Sequence, residues 1–245
     1  MEFTTRDARS RKSNGLWEFS HVIATIAGSK LADLVQNPRS LSHLKQTSAV
    51  TVMVVNIFYA NPSILPVHGF GYLLPRTIPF DQNPEQALGV VFDSDASIGQ
   101  DAIPGTKVTV MLGGHWWDNL QRFPDEVQGA RMAKAVLKRH LNIDDEPQAV
   151  SVGLQKDCIP QYSVGHDDRM EKVHFGLKND FSGRFRVAGS SYTGVGLNDC
   201  VRAARDVVGG LIYRYGRDRY SGLDSFEGGR RMVWAPPEGL KAVEI

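Results

Sequence analysis

The sequence predicts a mixed α/β chain in which a strand-rich segment interrupts an α/β unit. Three observations carry this. Residues 186–201 read as a short strand, a Gly/Ser turn and the start of a helix. Ala49–Tyr59 is almost wholly apolar and rich in β-branched residues, as a buried strand should be. Amphipathic helical patterns at 124–141 and 167–177 are too few to cross over between all the strands, so the middle is not a simple βαβ array.

Along the chain, Arg6, Arg9, Arg11 and Lys12 lie among Ser and Thr as in a transit peptide, but Glu2 and Asp7 interrupt the pattern. A surface hairpin or an irregular start is the plainer reading. Residues 19–27 are β-rich and closed by Gly28, and 30–35 form a short helix ending before Asn37-Pro38. Ala49–Tyr59 is expected to be buried on both faces. Strands follow at 65–75, 87–93 and 106–112, separated by loops rich in Pro, Asn and Asp.

The helix at 124–141 places Val127, Ala130, Ala133, Leu137 and Leu141 inside. Asp125 and Glu126 at its start and Lys138, Arg139 and His140 at its end suit the helix dipole. A strand at 149–154 and a helix at 167–177, with Met170, Val173 and Leu177 inside, come next. In the last helix Leu197, Cys200, Val201, Ala204, Val207, Val208 and Leu211 make one apolar stripe, and Gly209-Gly210 supply a stop. From Arg214 onward, Arg217, Asp218, Arg219 and Pro236-Pro237 suggest a loosely ordered tail.

With 245 residues the chain can bury a sizeable core. Lys+Arg 28 against Asp+Glu 27 leaves a charge of +1, which gives no reason to expect a nucleic-acid partner. Cys158 and Cys200 lack a Cys-x-x-Cys partner and sit among apolar neighbours, as reduced core thiols would. The seven histidines form no His-x-x-x-His or Cys/His cluster, so no metal site is expected. No apolar run approaches the roughly 20 residues of a spanning helix.

The turn before the last helix carries the first chemical signal. Gly194 and Gly196 leave the helix N-terminus bare, so a planar, electron-rich ligand such as a flavin could approach its N–H groups. An ordinary strand–helix packing turn has the same appearance.

Other blocks stand in a fixed order: Ser20-His-Val-Ile-Ala24, Leu65-Pro-Val-His-Gly-Phe-Gly-Tyr-Leu-Leu-Pro75, Gly89-Val-Val-Phe-Asp-Ser94, Val108-Thr-Val-Met-Leu-Gly-Gly114, and Cys158-Ile-Pro-Gln-Tyr162 followed by Gly165-His166. From about Trp17 to Tyr215 this arrangement resembles the carboxyl-terminal half of the oxygen-dependent, FAD-containing protoporphyrinogen oxidases of the eukaryotic mitochondrial type. The resemblance implies a partial FAD-binding domain of the flavin amine oxidase type with an inserted strand-rich substrate domain. Its divisions are 17–36 and 161–215 for the FAD-domain segments, 37–160 for the substrate domain and 216–245 for the tail.

The resemblance also implies oxidation of protoporphyrinogen IX to protoporphyrin IX with O2 in heme biosynthesis, and FAD as cofactor. For the whole enzyme it implies inner-membrane association in mitochondria and a possible homodimer. Phe70, Gly71, Leu73, Val91, Met111 and Ile159 fall in blocks that line the tetrapyrrole pocket of the family. Gly194, Val195, Gly196 and the main chain at Leu154 fall near the flavin. Each has a plainer counterpart: Val91 and Met111 as sheet core, Phe70 as a hairpin cap, Leu154 as a strand end. No catalytic acid or base stands out, and His68, His115 and His166 are given no role. Trp116-Trp117 packs on the following helix or marks a sheet edge.

Two expected features are missing. No Gly-x-Gly-x-x-Gly follows an opening strand, and no arginine for a substrate propionate is found. The chain therefore reads as a fragment of such an enzyme. The alternatives are a non-catalytic porphyrin-binding or inert remnant, and another flavin amine oxidase relative.

Overall fold

The computed structural model describes residues 2–6, 13–35, 41–99, 101–213 and 221–227. The chain divides into two compact units, one formed by Met1–Ser48 with Pro160–Ile245 and the other by Ala49–Ile159. The second is therefore an insertion in the sequence of the first.

The inserted unit is built on a five-stranded sheet of β4 (Ala49–Tyr59), β5 (Gly71–Leu73), β6 (Ala87–Val91), β7 (Thr106–Gly113) and β8 (Ala149–Pro160), in the order β5-β6-β7-β4-β8. Pairing is antiparallel between β5 and β6, β6 and β7, and β7 and β4. One sheet face carries Met53, Val55, Ile57, Val90, Val108, Val110 and Leu112. It packs on Ala133, Val136 and Leu137 of a helix at Glu126–Leu141. The other side of β4 is closed only in part: Val52 is buried, Val54 and Phe58 are half-buried and Asn56 is exposed. The expectation of burial on both faces thus holds for only part of the strand, because the helix layer covers the face of alternate residues and leaves the rest of the second face open.

The helix at Glu126–Leu141 begins with a reciprocal capping box between Asp125 and Gln128 and ends at Asn142 in the left-handed conformation. Its buried stripe is Gly129, Ala133, Val136 and Leu137. Val127, expected inside, is 64% exposed because it lies two residues from Gly129 and so on the opposite side of the helix. At Gly129 an added Cβ would come within 2.2 Å of Met53 Sδ, so the helix lies close against β4 at that point.

Three strand expectations need correction. Residues 65–75 pair only at Gly71–Leu73, between prolines that cannot donate to a ladder. The strand at 87–93 stops at Val91 and turns into a short helix, Asp93–Ala96. The strand expected at 149–154 continues to Pro160, so Leu154 is mid-strand and packs against the helix-side core. As an edge strand, β8 tolerates the polar run Gln155-Lys156-Asp157.

In the first unit, β1 (Glu2–Arg6) and β2 (Ser13–Glu18) form an antiparallel hairpin. A parallel pair joins β3 (Val22–Ala24) to β9 (Phe185–Val187). Helices α1 (Gly28–Leu34), α4 (His166–Asp180) and α5 (Leu197–Tyr213) complete it; the inserted unit holds α2 (Asp93–Ala96) and α3 (Glu126–Leu141). Leu31, Leu44, Met170, Val173, Leu177, Phe185, Tyr192 and Leu223 make the core. Gly28 does not stop a strand. It is the buried first residue of α1, and its N–H donates to Ser191 Oγ at 3.1 Å.

Helix α5 departs from expectation twice. It continues through Gly209-Gly210 to Tyr213, since neither glycine adopts the left-handed conformation that ends a helix. Its expected apolar stripe is mostly open: Ala203 and Val207 are buried beside Ala188, whereas Leu197, Val201, Val208 and Ile212 are exposed. Cys158 is exposed and Cys200 half-buried, so neither is a core thiol. In the expected tail, residues 221–227 are packed, with Leu223 fully buried. Residues 214–220 and 228–245, like Asn37-Pro38, lie outside the described residues.

Candidate functional site

Two places in the molecule hold the predicted site residues other than Leu154 and Ile159. In the inserted unit, the register puts them in adjoining rows. Leu73 pairs with Gly89, Gly89 with Met111, and Met111 with Val54. In the next row Gly71 pairs with Val91, Val91 with Thr109, and Thr109 with Asn56. Cross-strand partners share a face. Tyr72, between the two β5 residues, points the other way: its hydroxyl meets His140 Nδ1 of α3 at 2.9 Å. Gly71, Leu73, Val91 and Met111 therefore lie together on the open face, with Leu73 78% exposed and Val91 and Met111 half-buried.

Phe70 stands at the start of this row and is 73% exposed. Gly71 allows its position: it has φ +136°, and a Cβ there would lie 2.2 Å from Val90 O. The loop is clamped by Asp95, whose Oδ2 accepts from Gly69 N–H at 3.0 Å and lies 3.0 Å from His68 Nδ1. The Gly69 N–H, then His68, hold the Asp95 carboxyl below its ordinary range. Ile159 is near the far end of edge strand β8 and exposed.

Sequence reasoning missed the polar group on the same face. Thr109 Oγ1 lies 2.8 Å from Asn56 Oδ1 and 2.8 Å from Asp93 Oδ2. All three line a 420 Å³ cleft with Phe58, Lys107 and Val150. A larger cleft of 610 Å³ beside Trp117, Phe123 and Arg131 contains none of the predicted residues. Trp117 itself is core, its Nε1 donating to Gln86 Oε1 at 2.8 Å.

In the first unit, the turn from β9 to α5 is fixed from behind. Tyr162 donates to Ser190 O at 2.6 Å and stacks on His166 at 3.9 Å between ring centres. His166 Nε2 meets Tyr192 O at 2.9 Å, and Tyr192 donates to Ile26 O at 3.1 Å. Burial raises the Tyr162 hydroxyl to about 12 and lowers the His166 imidazole, so both are held neutral at pH 7.

Val195 is 48% exposed and Gly196 is open. The bare helix end foreseen from sequence is, however, partly filled: a Cβ on Gly194 would meet Asp199 Cβ at 2.5 Å, and one on Gly196 would meet Asp199 Oδ2 at 3.1 Å. The two glycines make room for this chain's own carboxylate, which also offsets the positive helix end. The backbone at Val195 and Gly196 is left exposed beside it. No phosphate-binding fingerprint accompanies it.

Folding brings together a trio that sequence spacing could not reveal: His174, Asp224 and Glu227 place ligand-type atoms within 4.8 Å of one another. These groups already have partners. His174 Nδ1 meets Ser221 Oγ at 2.7 Å, Asp224 Oδ2 accepts from Ser221 and Gly222 N–H groups, and Glu227 takes Lys178 at 2.8 Å. They fasten residues 221–227 to α4.

No family model matches the chain. It is 34% identical over 185 residues to the protoporphyrinogen oxidase of Schizosaccharomyces pombe, covering 75% of this chain and 36% of that protein. To the protoporphyrinogen oxidase of Homo sapiens it is 35% identical over 215 residues, covering 81% of this chain and 43% of the relative. The chain thus spans less than half the length of these relatives. Among solved structures, a protoporphyrinogen oxidase assigned by similarity in an Exiguobacterium species superposes with TM-score 0.69 at 22% identity, over 86% of this chain and 46% of the other. Cyclohexylamine oxidase of Brevibacterium oxydans gives TM-score 0.55 at 12% identity, over 81% and 44%. The mixed α/β fold, with its strand-rich insertion, is shared with these structures over less than half of their length.

Proposed function

We propose that the chain belongs, over the part of its relatives that it spans, to the protoporphyrinogen oxidase family, and that it serves the oxidation of protoporphyrinogen IX to protoporphyrin IX with O2 in heme biosynthesis. The observation that carries this reading is the flat, open sheet face on which Leu73, Val91 and Met111 stand in adjoining rows beside exposed Phe70. A tetrapyrrole is a broad apolar disc, and an apolar floor with an aromatic at its margin matches it by shape and by contact with its faces.

FAD, when bound, supplies the oxidising chemistry that no side chain here can provide. In this proposal Val195 and Gly196 offer main chain to the ring edge. Leu73, Val91 and Met111 lie against one face of the macrocycle and exclude water from that side, and Phe70 stacks on a pyrrole ring. The inserted unit is the substrate domain in this reading. Leu154 packs on the helix-side core. Inner-membrane association in mitochondria and a homodimer belong to the reading for the whole enzyme.

The test is a chimera: the matching stretch of the fission yeast relative is replaced by this chain, and protoporphyrin formation is followed by fluorescence. Turnover with bound flavin is expected. A folded, flavin-loaded chimera that forms no protoporphyrin would overturn the proposal.

A further inference from the structure

We propose that Asn56, Thr109 and Asp93 form a hydrogen-bond-accepting anchor for the central N–H groups of a tetrapyrrole lying on the open sheet face; this rests on the substrate class proposed above. Proton accounting leads to it. Thr109 Oγ1 lies 2.8 Å from an oxygen of Asn56 and 2.8 Å from an oxygen of Asp93, yet a hydroxyl has one proton to donate. Turning the Asn56 amide over resolves the conflict, because its nitrogen and oxygen exchange places without steric change. Asn56 Nδ2 then donates to Thr109, and Thr109 donates to Asp93.

That arrangement leaves two acceptors, the Asn56 carbonyl oxygen and Asp93 Oδ1, without a donor among the described residues. Both residues line the 420 Å³ cleft. Lys107 lines it too, but its ammonium is engaged by Asp101. The cleft continues the predicted floor, because Thr109 is the cross-strand partner of Val91. A ligand that suits both parts is apolar over most of its area and presents N–H donors away from its rim. The centre of a porphyrinogen meets that description, because its saturated bridges let the pyrroles tilt and turn their N–H groups toward one face. Its carboxylate-bearing edge does not, since Asp93 repels it. The anchor therefore also orients the disc, with its centre rather than its acidic margin over Thr109.

The experiment titrates the full chain, in the absence of oxygen, with protoporphyrinogen IX and with nickel protoporphyrin, which carries the same substituents and has no central N–H. Expected for the wild type is tighter binding of the porphyrinogen, by about tenfold, as for a hydrogen bond to a charged acceptor. In Asn56→Val and Asp93→Asn the advantage shrinks through the porphyrinogen alone, while the nickel compound binds as before. Equal affinity of the wild type for the two compounds overturns the anchor and leaves the floor standing. An undiminished advantage in both variants, each with unchanged circular dichroism, does the same. A wild-type chain that binds neither compound overturns the anchor and the substrate reading together.

Discussion

The Asp95 carboxylate accepts a hydrogen bond from the Gly69 N–H at 3.0 Å, immediately before Phe70. Asp95 belongs to the short helix after β6, so the helix pins the loop that presents the aromatic ring. Asp95→Ala should accelerate hydrogen exchange at Gly69, whereas Asp95→Asn, which keeps an acceptor oxygen, should do so less. The pH sign follows from the lowered carboxyl. The clamp is intact above the ordinary carboxylate range and is lost as pH falls through the depressed value. Exchange at Gly69 that is identical in wild type and Asp95→Ala would show that the loop holds itself.

Phe70→Ala separates a ligand contact from a core residue. Removing a buried phenylalanine costs about 3–5 kcal/mol, but Phe70 is 73% exposed. Its removal should leave the thermal midpoint within the error of measurement and weaken porphyrin binding. A collapse of the midpoint would make Phe70 a packing residue after all.

These contacts mark the limit of what the sequence displayed. Strand β4 was legible because β-branched residues fill it, and α3 because Asp125 and the basic last turn stand at its ends. The rows Leu73–Met111 and Val91–Thr109 needed only the correct strands to be paired in register. Asn56, Thr109 and Asp93 were hidden because no local pattern joins residues 53 and 16 positions apart. The length of β8 was hidden because an edge strand has no need of apolar residues. The stripe on α5 had the correct period, but periodicity does not say whether a partner covers it.

Acid should weaken the first unit through His166. Its Nε2–H serves Tyr192 O, and its Nδ1 is buried without a partner, so protonation would create an unsatisfied buried donor. Burial accordingly holds the folded-state value below the ordinary 6.5. The unfolded chain takes up the proton first, so stability is lost as pH falls from about 6.5 toward the lowered value. His166→Gln removes this titration and should flatten that part of the stability–pH curve. Parallel curves for wild type and variant would exclude His166 as the cause.

Gly129→Ala tests the close approach of α3 to the sheet. On helix propensity alone the change should stabilise, by about 1 kcal/mol. The added methyl would lie 2.2 Å from Met53 Sδ, and Met53 is itself buried. Overpacking of this kind costs about 1–3 kcal/mol, so a net loss in denaturant midpoint is expected, with recovery in Gly129→Ala/Met53→Val. A more stable single variant would mean that Met53 simply moves aside.

The two glycines before α5 should respond differently because they face different parts of Asp199. At Gly194 a Cβ would lie 2.5 Å from Asp199 Cβ, which is fixed to the helix and can retreat only if α5 shifts. Gly194→Ala should therefore destabilise the chain by about 1–3 kcal/mol, as overpacking does. At Gly196 the obstacle is Asp199 Oδ2 at 3.1 Å, the movable end of a side chain, so Gly196→Ala should melt close to wild type. That difference makes Gly196 the informative position for ligand approach. In the fission yeast chimera, Gly196→Ala should lower flavin content per polypeptide while the melting temperature of the flavin-free protein stays put, because the new methyl intrudes on the exposed backbone beside Val195. Full flavin content in that variant would reduce the turn to a device for packing Asp199 over the helix end.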